Sequence, residues 1–136
     1  MVKNISAIFT GLIAGMAAIF FGIMIITTLK PYPADIDIRN TTSMDSFVAT
    51  FPETIYMVKL LTNIVATFCA GLLSSLVANK IKYQVGIISV TLLFAFMIYR
   101  DLRFDYSVLY IVLNIVLAIL AGWAGIVTGS RRNIRA

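Results

Sequence analysis

Long apolar stretches alternate with short polar ones along this chain. Apolar runs cover about residues 5–29, 54–78, 84–99 and 106–129. The polar breaks between them read "KPYPADIDIRNTTSMDSFVATFPE", "NKIK" and "RDLRFD". Each run reaches or approaches the roughly 20 residues a helix needs to cross a bilayer, the third being the shortest. The pattern predicts an all-α, polytopic membrane protein: one domain over residues 1–136, a four-transmembrane-helix bundle with an outer loop at 30–53. In that loop Pro31 and Pro33 stop the first helix and force an extended exit. Thr42 or Ser43 is placed to cap a short surface helix through about Thr50, with Phe47, Val48 and Phe51 on the membrane. Pro52 and Glu53 then read as the start of the second helix.

Within the apolar runs one phrase recurs. "NIVATFCAG" begins at Asn63 and "NIVLAILAG" at Asn114, and the second and fourth helices align at a constant offset of 51 residues. Thr67, Gly71, Ser74 and Ala78 correspond to Ala118, Gly122, Gly125 and Gly129, all small and all on one helical stripe. The first helix has the same spacing in Gly11, Gly15, Ala18 and Gly22. Lipid tails are as apolar as leucine, so small residues that let backbones approach give these helices a reason to associate. Three helices are therefore expected to pack closely through these stripes. The third, with "SVTLLFAFMIY", is expected to face lipid or a partner protein, so that Leu93→Ala is tolerated where Gly122→Leu is not. A tandem two-helix duplication explains the repeated phrase; convergence of two apolar helices on the same few residues is the alternative.

Beyond the small residues the same stripes turn polar. Asn63, Lys59 and Tyr56 follow on the second helix, and Asn114, Tyr110 and Ser107 on the fourth. Bulky polar groups in the outer half are expected to splay the helices into a shallow, outward-facing cleft. Its candidate ligand-binding residues are Tyr56, Lys59, Asn63, Tyr110 and Asn114, with donors suited to an anionic headgroup, a small anion or a quinone oxygen. The competing expectations are that Lys59 snorkels its ammonium to the headgroups and that the asparagines bond between helices.

Composition sharpens the class. The 136 residues are 60% hydrophobic and 12% charged, with a mean hydropathy of +0.96. A soluble domain carries more charge than that. The first run is too long for a signal-peptide core, lacks a small-residue cleavage site and is expected to be a retained helix. The formal charge is +5. Lys3, Lys80, Lys82, Arg131, Arg132 and Arg135 lie at the N-terminus, the second connection and the C-terminus. The six acids, Asp35, Asp37, Asp45, Glu53, Asp101 and Asp105, lie in the first and third connections. The positive-inside rule then predicts both termini in the cytoplasm. The basic clusters read as topology signals and lipid-headgroup contacts, with no nucleic acid expected.

Candidate chemistry is sparse. Histidine is absent, and Cys69 is the single cysteine, so neither an intrachain disulfide nor a histidine base is available. Asp35 and Asp37 form a D-x-D pair too small for a calcium site. No metal, cofactor or catalytic residue is expected. The arginines of the third connection are expected to snorkel. Proton-coupled transport is disfavoured because no carboxylate falls inside a helix on this reading.

The Pro-bearing exit, the acidic stretch, the short segment ending in Pro52 and the glycine-containing second helix resemble a broad bacterial family of small four-helix membrane proteins. The family is uncharacterised, so the resemblance implies architecture and a bacterial inner membrane. Arg100–Asp105 stand where that family has a proline-bearing connection. The function expected is that of a non-catalytic accessory or scaffolding subunit, in contact with membrane lipids and other integral membrane subunits. The alternative is a homo-oligomeric transporter or channel for an anion or lipid.

Overall fold

A computed structural model describes residues 1–29, 31, 53–102 and 108–132. The short surface helix expected in the outer loop and the Asp35–Asp37 pair fall outside the described residues, as do Ser107 and Arg135. Four helices make up the rest: α1 (Val2–Leu29), α2 (Glu53–Val77), α3 (Lys82–Leu102) and α4 (Val108–Arg131). Each is long and apolar enough to cross a membrane.

The helices run alternately up and down. Residues 78–81 join α2 to α3 so tightly that the two lie antiparallel. Asn4 at the start of α1 accepts the Asn79 backbone N–H at 3.2 Å, and Lys82 Nζ donates to the Arg132 carbonyl at 2.7 Å. These bonds bring the basic N-terminus, the second connection and the end of α4 to one end of the bundle.

α2 is the hub. It touches all three other helices, whereas α1 and α4 do not touch each other. α3 lies against α1, α2 and α4 together. The central core is accordingly shared by all four: Ile19, Ala66, Ala70, Leu93, Met97 and Ala118. The small-residue stripes lie where backbones meet. A Cβ on Gly11 would stand 2.6 Å from the Ala70 carbonyl oxygen, and one on Gly71 would stand 2.7 Å from that of Gly122. Gly125 and Gly129 abut the carbonyls of Phe68 and Leu72. Gly15 packs on Leu93 and Ala66, Gly22 on the Thr62 side chain. Ser74 is fully buried and turns its hydroxyl onto the Ala70 carbonyl at 2.6 Å. Ala18 is half-buried at the edge of the core.

Two expectations are corrected. α3 does not face outward alone: Ile88, Leu92 and Phe96 are exposed, but its other face is part of the core. Val85, Gly86, Ser89, Leu93, Met97 and Asp101 are all buried, one every turn along its inner face. Bulk does not keep a helix out of a core: the glycines of α1 leave the space that Leu93 fills, so Leu93 is 1% exposed and not a tolerant surface position. The close-packed stripes also do not form one three-helix contact, because α2 separates α1 from α4.

Candidate functional site: a buried polar cluster

At the end of the bundle away from the termini, α2, α3 and α4 turn polar side chains toward one point. Tyr56, Lys59 and Asn63 share a stripe of α2 by their spacing of three and four. Tyr110 and Asn114 do the same on α4. Asp101 closes the α3 stripe of Val85, Ser89, Leu93 and Met97, each four residues from the last.

These groups are bonded to one another in a chain. Asn63 Nδ2 donates to Asn114 Oδ1 at 2.8 Å, and Asn114 Nδ2 donates to Asp101 Oδ2 at 2.8 Å. The other oxygen, Asp101 Oδ1, lies 3.2 Å from Lys59 Nζ and 3.6 Å from the Arg100 guanidinium. Arg100 Nη2 also donates to Asn63 Oδ1 at 3.5 Å, which closes the ring of contacts. The Asp101 side chain is 4% exposed, that of Lys59 12% and that of Arg100 21%. The tyrosines form an aromatic wall beside the charges. Their rings are 5.4 Å apart and tilted by 56°, and Lys59 Nζ stands 5.6 Å from the Tyr110 ring centre, within cation–π range.

The five residues expected to line a cleft are thus brought together, with Asp101 and Arg100 of α3 bonded among them. Lys59 does not snorkel. An ion pair inside the bundle offers its ammonium better compensation than the stretch to the headgroups. Arg100 does not snorkel either, since its guanidinium reaches inward to Asn63 and Asp101. The expectation that no carboxylate lies in a helix also fails, because α3 continues through Leu102 and takes Asp101 with it. The sequence places both residues in the third connection because four of the six residues of "RDLRFD" are charged. Two signals pointed to them: the four-residue stripe from Val85 to Asp101, and the need of a lysine inside a helix for a counter-ion.

Among the described contacts the cluster holds two cations, Lys59 and Arg100, and one carboxylate, Asp101. Its contacts tie α2, α3 and α4 together. Leaving such groups unpaired in hydrocarbon costs several kcal/mol, on the order of the desolvation of a single ion. No group of three or more metal-ligating side chains occurs among the described residues, and Cys69 stands half-buried.

Three apolar grooves on the outside are lined by described residues. One of about 500 Å³ lies between α1 and α2, lined by residues that include Phe21, Gly22, Leu61 and Val65. A second, of about 330 Å³, runs along α1 by Phe21 and Met24. The third, about 290 Å³, separates α3 from α4 at Ile87, Phe94 and Trp123. None of the three includes a residue of the polar cluster. No family model, curated protein or solved structure matches this chain.

Proposed function

We propose that this chain is a small non-catalytic membrane protein that serves as an accessory or scaffolding subunit of a larger bacterial inner-membrane assembly. One observation carries the reading: the interior polar groups engage one another. Asn63, Asn114, Asp101, Lys59 and Arg100 contact one another, and the grooves described run past them. What the molecule offers to others is its outer surface, which suits association with neighbouring membrane proteins. Both termini are taken to be cytoplasmic, because the basic segments share one end of the bundle. The resemblance to the bacterial family supports the inner membrane as its location. Duplication of a two-helix unit is part of the same proposal, supported by Asn63 meeting Asn114 and Gly71 meeting Gly122 at equivalent positions.

The test is isolation from native membranes in mild detergent, with mass spectrometry of what co-purifies, using a photo-crosslinking residue at Val65 in the α1–α2 groove. A stoichiometric partner crosslinked at Val65 supports the proposal. Recovery of this chain alone contradicts it.

A second reading is a homo-oligomeric channel or transporter for an anion or lipid, supported by the two cations, Lys59 and Arg100, gathered in one cluster. Asp101 also removes the objection to proton coupling that rested on the absence of a helical carboxylate. Vesicles holding the purified chain would release a trapped anion such as chloride on this reading, and Lys59→Met would slow that release. No release above empty vesicles would exclude it.

A further inference from the structure

The two ends of α3 are fastened differently, and its middle is fastened by neither means. At the end shared with the chain termini, α3 is tied to all three other helices through backbone carbonyls. Ser75 of α2 donates to the Lys82 carbonyl at 3.2 Å, Ser89 donates to the Ile8 carbonyl of α1 at 3.4 Å, and Lys82 Nζ donates to the Arg132 carbonyl at 2.7 Å. From Val90 to Tyr99, among the described residues, no hydrogen bond joins α3 to another helix. The contacts there are made by side chains: Val90 rests on Gly122 and Leu93 on Gly15. The groove of about 290 Å³ between α3 and α4 opens along the same stretch, at Val90, Phe94 and Trp123. α1 and α4, by contrast, set glycines directly on α2 carbonyls, Gly11 on Ala70 and Gly125 on Phe68. Side chains can turn as a helix shifts, whereas abutting backbones must separate.

At the far end α3 is held again, by Asp101 and Arg100. Asp101 bonds to Asn114 of α4 and pairs with Lys59 of α2. Arg100 is held less well. Its two Nη2 contacts are long, 3.5 and 3.6 Å, and its Nε is buried with no hydrogen-bond partner. A polar network with an unmet buried donor is less firmly fixed than a satisfied one. We propose that Asp101 and Arg100 form a releasable latch and that α3 is the moving helix of the bundle. When the latch opens, the far end of α3 tilts away from α2 and α4 about the anchor at Ser75, Lys82 and Ser89. The tilt widens the α3–α4 groove from the far end, while α1, α2 and α4 keep their glycine contacts. The proposal does not rest on the accessory-subunit reading.

The test is pulsed electron–electron double resonance on the full chain in lipid nanodiscs, in a Cys69→Ala background. Three pairs of spin labels are placed at exposed positions: Tyr99 with Leu109, Ile88 with Ala124, and Met57 with Leu109. They report the far end of α3 against α4, the anchored end of α3 against α4, and α2 against α4. A tilt of about 15° over the roughly 20 Å from Ser89 to Leu102 moves the far end by about 5 Å. Asp101→Asn should therefore lengthen the Tyr99–Leu109 distance by about 5 Å and leave the other two unchanged. Asn114→Ala, which leaves Asp101 with both cations, should shift part of the population the same way. It decides the matter if Asp101→Asn broadens all three distances by unfolding. A Tyr99–Leu109 distance that stays fixed in folded Asp101→Asn, or in Asn114→Ala where the first variant unfolds, overturns the latch. So does a Met57–Leu109 distance that lengthens as much as Tyr99–Leu109 in Asn114→Ala, because α4 would then be the helix that moves.

Discussion

The two halves of this bundle are held by opposite means. Toward the termini, glycines bring α1 and α4 down onto the backbone of α2, and nothing larger fits at Gly11, Gly71, Gly125 or Gly129. Toward the other end the helices are held by side chains: two asparagines, a lysine, an arginine and an aspartate reaching across gaps that glycine contacts would have closed. Packing of the first kind is short-ranged and gains from many weak dispersion contacts. The polar end depends on a few strong contacts, any one of which is expensive to leave half-made. The glycine half should therefore fail by steric exclusion, and the polar half by loss of compensation.

Variants that separate these modes form a series. Gly125→Leu should have the largest effect, because the added side chain would meet the Phe68 backbone and a carbonyl cannot move aside. The expected outcome is no monodisperse folded protein on gel filtration in detergent. Gly122→Leu should be milder, since its new atoms would meet the Val90 side chain, which can rotate. Asp101→Asn comes next. It strips two partly buried cations of their carboxylate and should cost about 3–5 kcal/mol in reversible detergent unfolding. Leu93→Ala should lose about 2 kcal/mol, at the low end for a leucine cavity, because lipid is a less hostile reference than water. Lys59→Met should lose least, about 1 kcal/mol, because Arg100 still compensates Asp101. A Lys59→Met loss equal to that of Asp101→Asn would mean Arg100 contributes nothing to the pair.

How much of this was legible in the sequence follows the same division. The glycine stripes were readable because close backbone approach needs a local property, small size, repeated at helical spacing. Interhelical bonding by the two asparagines was one of two readings their position allowed, and the structure pairs Asn63 with Asn114. What escaped was the partner set on α3. Asp101 sits one residue from a helix end among "RDLRFD", where polarity signals a connection and burial is decided by a neighbouring helix. Leu93 was misjudged for a related reason. Hydropathy cannot tell a leucine facing lipid from one facing the groove left by Gly15. The repeat also promised more symmetry than the bundle has. α2 and α4 meet at equivalent residues, yet α3 touches α2 while α1 does not touch α4.

The central claim is that the outer half is held by compensation among its own charges. A double-mutant cycle measures this directly, comparing reversible unfolding of wild type, Lys59→Met, Asp101→Asn and the doubly substituted chain. Compensation predicts a coupling of about 1–3 kcal/mol, with the double variant no less stable than Asp101→Asn alone. Losses that simply add would contradict it.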